Sequence, residues 1–201
     1  MPAVLHSAKR RLKSAPFLLL PLLMSCEDTL ENLYPKVAPV QLPAATQTGA
    51  NAFGFSLNGQ VWEANNTPTL TGKVLTPNVR YHRGQLWLDA FRRLQAAEPV
   101  TNVHLTADQV TAPGVYALGA VQPGRTSYAR LQTSNAQVEY FTDAQRPGTL
   151  TITRLDTTGA HPVIAGRFEF RAIPREGTHL PAGFPAELRV TEGRFDIQLN
   201  R

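Results

Sequence analysis

The sequence has a single cysteine, Cys26, among its 201 residues. With no second thiol there is no intrachain disulfide, and any structural zinc site needing two or more thiolates is excluded. Acidic residues are missing from the N-terminus: all 15 Asp and Glu lie after Cys26, whereas Lys9, Arg10, Arg11 and Lys13 lie before it. Removing those four from the 20 basic residues leaves 16 against 15, so the chain after Cys26 is almost neutral despite a formal net charge of +5. A near-neutral chain lacks the clustered positive field that phosphate backbones require, and nucleic acid is not an expected partner. No apolar run reaches the roughly 20 residues that span a bilayer as a helix. No G-x-S-x-G elbow, Walker loop, H-E-x-x-H or EF-hand loop occurs. The later histidines, His82, His104, His161 and His179, include no pair at i, i+2 or i, i+4. Solvated or capping roles are expected for them, and no metal ligand, cofactor or catalytic residue is assigned. Among the carboxylates, Asp89, Asp143, Asp156 and Asp196 have nothing in sequence to bring any two together. Asp196, beside Phe195, reads as an outward strand position paired with a neighbouring arginine.

What is present begins with an address. The four basic residues precede an apolar stretch from Ala15 to Met24, which has the proportions of a secretory h-region. Leu23-Met24-Ser25-Cys26 resembles the lipobox of bacterial lipoproteins, with an apolar residue three before the cysteine and a small one just before it. The resemblance implies that residues 1–25 are removed and that Cys26 is lipidated and becomes the N-terminus. A thiol is the nucleophile that carries a thioether-linked lipid, and two or three acyl chains anchor stably where one alone is marginal. Glu27 and Asp28 resemble the export signal that places some Bacteroidota lipoproteins on the outer face of the outer membrane. Residues 26–48 then carry Pro35, Pro39 and Pro43, each lacking a backbone donor. An extended tether is expected, advancing about 3.1 Å per residue. Leu33, Tyr34 and Val37 are the residues that would dock if part of it packs on the domain.

From residue 49 the pattern is that of a single β domain ending at 201. Gly (14) and Pro (16) are plentiful, which favours many short strands over long helices. Phe53, Phe55 and Leu57 alternate with small residues up to Asn58-Gly59, a type I′ hairpin signal. Pairing across that turn sets Leu57 against Gln60, Phe55 against Trp62 and Phe53 against Ala64, all on one face, with Val61 on the other. Around Arg83-Gly84 the same logic pairs Tyr81 with Leu86 and Val79 with Leu88. Further strands are expected at 100–105, 115–118, 126–131, 137–141, 149–155, 163–173 and 187–199, with a single helical turn at 107–110. Ile164, Gly166, Phe168 and Phe170 share one side of their strand, and Arg167, Glu169 and Arg171 the other. The fold class is all-β, an antiparallel sandwich or barrel-like domain.

Phe53-Gly54-Phe55 leading through Asn58-Gly59 to Trp62, the segment GTLTITRLD at 148–156, Gly166 to Phe170, and TEGRFDI at 191–197 together resemble an uncharacterised family of Bacteroidota lipoproteins. The resemblance covers most of 49–199 in the same order. It departs at Phe55, where that family often has a cysteine. It implies the compartment and the fold, and it brings no activity, ligand or catalytic residue.

One surface stands out by strand parity. If residues 79, 81, 86 and 88 face the core, then Arg80, Trp87 and Phe91 face away, and an outward Trp and Phe suit stacking on a sugar or other apolar ligand. A covering sheet or tether would instead make them core. The expectation is a lipid-anchored envelope protein, periplasmic or surface-exposed, with a non-catalytic binding or scaffolding domain. Its partners would be a membrane, through lipid on Cys26, and a glycan or an envelope protein. An envelope hydrolase acting on glycan or lipid, and a purely structural envelope protein, are the alternatives.

Overall fold

Two Asx/Arg-Gly turns set the register of the first hairpins. Asn58 and Gly59 have φ of 50° and 84°, and Arg83 and Gly84 have 47° and 83°, the paired positive values that a type I′ turn needs. The first turn joins β1 (Ala52–Leu57) to β2 (Gln60–Glu63), pairing Phe55 with Trp62 and Leu57 with Gln60. The second joins β5 (Asn78–His82) to β6 (Gln85–Arg92), pairing Tyr81 with Leu86 and Val79 with Leu88. Both registers are those expected from the turns. Between the hairpins lie two short strands not anticipated from sequence, β3 (Asn66–Thr69) and β4 (Gly72–Val74). The computed structural model describes residues 40–69, 72–93, 99–119, 121–122, 125–133 and 138–199, all within the compact unit Pro35–Arg201.

The remaining strands are β7 (Thr101–Ala107), β8 (Gly114–Leu118), β9 (Val121–Gln122), β10 (Arg125–Thr126), β11 (Tyr128–Thr133), β12 (Glu139–Phe141), β13 (Gly148–Asp156), β14 (Val163–Pro174) and β15 (Leu188–Gln198). Nine strands run in the antiparallel order β2-β1-β15-β14-β12-β11-β7-β6-β5. The long β14 holds β12 at its end and β13 along its first half, and β13 in turn carries β8. The sheet curls into a half-barrel, and β5 returns to touch β15. The fold is therefore all-β, and no helix occurs among the described residues. The helical turn expected at 107–110 is absent: Ala107 ends β7, and Gln109 has φ 61°, which a right-handed helix forbids.

The concave side holds the core. Phe53, Phe55, Trp62, Phe168 and Phe195 are almost fully buried together, with Phe55 stacked on Trp62 at 4.6 Å and Phe53 on Phe168 at 5.1 Å. Two glycines make room for these rings. Gly166 pairs with Phe195 and Gly193 with Phe168. A Cβ on Gly166 would lie 2.2 Å from the Thr151 carbonyl oxygen and 2.7 Å from the Phe195 ring. One on Gly193 would lie 2.3 Å from the Phe168 carbonyl oxygen. Each phenylalanine thus lies over the glycine across from it, where a side chain would collide.

Part of the segment read as tether is packed on the convex side. Pro43 sits against Gly54, and the Arg194 guanidinium donates to the Pro43 carbonyl at 3.2 Å. Asp196 is 1% exposed and accepts from the Thr46 hydroxyl (2.6 Å), the Thr48 amide (2.8 Å), the Gly49 amide (2.7 Å) and the Ala50 amide (3.3 Å). The arginine partner expected for Asp196 is replaced by these donors. An outward carboxylate becomes buried because residues 43–50 form a strap over it. The strap also packs against Val163, through Gly49, which accounts for an apolar residue on the outer face at the start of β14. Cys26, Leu33, Tyr34 and Val37 lie outside the described residues.

Candidate polar and aromatic site on the convex face

Parity in three adjacent strands builds this face. Leu86, Leu88 and Ala90 of β6, Val103 and Leu105 of β7, and Ala129 and Leu131 of β11 are buried toward the core. Their neighbours therefore point outward. The register aligns them in rows: Trp87, Thr106 and Tyr128; then Asp89, His104, Arg130 and Phe141; then Phe91, Asn102, Gln132 and Glu139. Arg80 and Asn78 of β5 stand opposite Trp87 and Asp89. A shallow cleft of about 480 Å³ lies over the middle rows, lined by Asn78, Asp89, Phe91, Asn102, His104 and Arg130 among others.

The charged groups form a connected line. His104 Nδ1 and Asp89 Oδ1 are 2.5 Å apart, and the Arg80 guanidinium reaches Asp89 at 3.8 Å. Burial opposes ionisation of Asp89, but the bond from His104, its charge, and the Arg80 and Arg130 charges together hold the carboxyl below its usual range. Arg130 also pairs with Glu139 at 3.3 Å. Aromatic rings flank this line. The Arg80 guanidinium lies over the Trp87 ring, 5.8 Å from its centre, and Arg175 lies over Phe141 at 4.9 Å. Tyr128 bridges the rings of His104 (5.6 Å) and Phe141 (6.1 Å). No three His, Cys, Asp or Glu side chains converge among the described residues.

Arg80, Trp87 and Phe91 all lie on this face. Arg80 is exposed, and Trp87 and Phe91 are half-buried. Arg80 and Trp87 touch each other. Phe91 stands at the other end of the strand, with its main chain bonded to the Thr76 hydroxyl. Sequence reasoning missed the residues between and beside them: Asp89, His104, Tyr128 and Arg130. Parity alone would have put all four on the outer face, because their neighbours in β6, β7 and β11 are apolar. Their alignment into adjacent rows needed the pairings of β7 with β6 and β11, which pass through loops without a type I′ signature.

Fold and face together define an all-β half-barrel bearing a mixed aromatic and charged outer surface. No family model matches the chain, and comparison with curated proteins and with solved structures gives no match. Among the described residues no helix is long and apolar enough to cross a membrane.

Proposed function

We propose that the chain is a lipid-anchored cell-envelope protein whose β domain binds a glycan without transforming it. The N-terminal basic and apolar segments, the lipobox-like Leu23-Met24-Ser25-Cys26 and the resemblance to uncharacterised Bacteroidota lipoproteins support the anchor and an outer-membrane location, periplasmic or surface-exposed. The binding role rests on one observation: Asp89, Phe91, His104 and Arg130 line a cleft on the face that also carries Arg80 and Trp87. Sugars are recognised by stacking on aromatic faces and by directional hydrogen bonds from carboxylates, amides and guanidiniums. Trp87, Asp89 and Phe91 alternate along one strand, so stacking and bonding groups repeat about every 6.8 Å, which suits a short oligosaccharide laid along β6.

A glycan array probed with the purified protein and its Trp87→Ala variant tests this. Signals on a defined glycan class should fall at least tenfold in the variant while the thermal midpoint moves by only a few degrees. Equal binding by the variant rejects the site. The Asp89–His104 pair at 2.5 Å is the observation that favours a hydrolase, since a carboxylate-oriented imidazole is one half of a general-base system. No Ser, Thr or Cys side chain is hydrogen-bonded to His104 among the described residues. Turnover of a glycan or ester substrate that His104→Ala abolishes would replace binding by catalysis.

A further inference from the structure

We infer that a second cleft, at the end of β13, β14 and β15 away from the strap, binds a phosphate group carried on a hydroxyl-rich molecule such as a sugar. This cleft is independent of the face described above. It has a volume of about 380 Å³ and is lined by Arg146, Thr149, Glu169, Arg171, Arg189 and Thr191 among others. Of the 16 basic residues after Cys26, 14 are arginine, and three converge here. Arginine offers a planar fork of donors that matches phosphate and carboxylate oxygens.

The arrangement is costly without an anion. Arg171 and Arg189 stand directly opposite each other on β14 and β15, and like charges in that position repel. Their outward direction is fixed, because Leu188 and Val190 on either side of Arg189 are buried. Arg189 is also held in place by Asn58, which donates its amide to the Arg189 carbonyl at 2.9 Å and accepts from the Arg189 amide at 2.8 Å. The protein supplies one carboxylate of its own. Glu187 receives Arg146 at Oε2 and Arg171 at Oε1, both at 3.4 Å. Two guanidiniums thus already grip an oxyanion in a fork, loosely and in solvent. Arg189 makes no ion pair among the described residues. With Glu169 and Glu187 counted against the three arginines, the cleft keeps one net positive charge. A phosphate brings up to two negative charges and three terminal oxygens, enough to satisfy Arg189 and to compete with Glu187 for Arg171. Glu169 is an acceptor in the same cleft for a hydroxyl of the attached molecule, which is why the phosphate ester of a polyol is favoured over a bare anion.

The test is titration of the purified full-length protein, followed by nuclear magnetic resonance, with glucose 6-phosphate, inorganic phosphate and glucose. Glucose 6-phosphate should bind with a Kd in the range of about 1 mM or tighter, inorganic phosphate several-fold more weakly, and glucose not detectably. Arg189→Gln and Arg171→Gln should each weaken glucose 6-phosphate binding at least tenfold, with thermal midpoints unchanged because both sites are exposed. Glu187→Gln should tighten it, by removing the internal competitor. Arg167→Gln, outside the cleft, should leave it unchanged. Absence of saturable glucose 6-phosphate binding at about ten times that Kd, or equal binding by Arg189→Gln, overturns the phosphate site. Equal affinity for inorganic phosphate and glucose 6-phosphate overturns the role given to Glu169 and the attached hydroxyls.

Discussion

Phe55 and Trp62 show how much of this molecule is decided one side chain at a time. They face each other across β1 and β2, at 0% and 4% exposure, and that partnership was legible from Asn58-Gly59 and the alternation on either side of it. What the sequence did not reveal is that Trp62 Nε1 is buried with no hydrogen-bond partner among the described residues. An indole without a partner brings large apolar burial but leaves a donor unsatisfied. Phe55→Ala and Trp62→Ala should therefore each destabilise the protein by about 3–5 kcal/mol. Trp62→Phe should behave differently, because lost area and the removed orphan donor oppose each other. Its expected cost is below about 1.5 kcal/mol. Urea unfolding of the three variants measures all of this. A Trp62→Phe cost equal to that of Trp62→Ala would show that Nε1 finds a partner in solution.

At the scale of elements, strands were far easier to read than the path of the strap. β13, β14 and β15 fall within one residue of the expected limits at every end, since long alternating segments carry the strongest periodic signal. The strap has no such signal. Its position depends on groups far away in sequence, above all the Asp196 carboxylate, 147 residues from Gly49 in the Gly49–Asp196 bond. One trace was present: Val163-Ile164-Ala165 is apolar without alternation, which in a strand means cover on both faces. The strap makes stability depend on pH in a definite direction. Burial raises the Asp196 pKa, but the Thr46 hydroxyl and the Thr48, Gly49 and Ala50 amides outweigh it and hold the value below the usual range. A depressed carboxyl contributes fully above its unfolded pKa of about 3.9 and loses that contribution as pH falls through the folded value. The Asp196 contribution should thus be constant from neutral pH to about pH 5 and then decline. Asp196→Asn places an amide among donors and should cost about 2–3 kcal/mol at neutral pH, with a flatter acid limb than the parent. Unfolding free energies measured from pH 3 to 7 check both features. A parent and variant that differ by less than about 0.5 kcal/mol at neutral pH would mean that the strap is not held by this residue.

For the whole molecule, the class of fold was legible and the topology was not. Many short strands with Gly and Pro punctuation indicate an all-β domain, but nothing local says that β15 inserts between β1 and β14, or that β5 returns to β15. Those pairings join distant parts of the chain, and only the closing of a shared core selects them. The same holds for the candidate site: the face around Asp89 and His104 exists only once β6, β7 and β11 are side by side. The proposed lipid anchor, in contrast, rests on a short contiguous motif and needs no fold to be tested. Sixteen residues lie between Cys26 and Pro43, whose carbonyl accepts from Arg194 on the sheet. At about 3.1 Å per residue, a fully extended chain of that length spans roughly 50 Å. If Cys26 carries the lipid, the domain and the anchor are separable. Cys26→Ser should then lose incorporation of radiolabelled fatty acid and move from the detergent phase to the aqueous phase on Triton X-114 partition. Its far-UV circular dichroism should remain that of a β protein, and its unfolding midpoint should stay with that of the parent. Undiminished labelling of Cys26→Ser would remove the anchor from the proposal while leaving the convex-face binding site open to its own test.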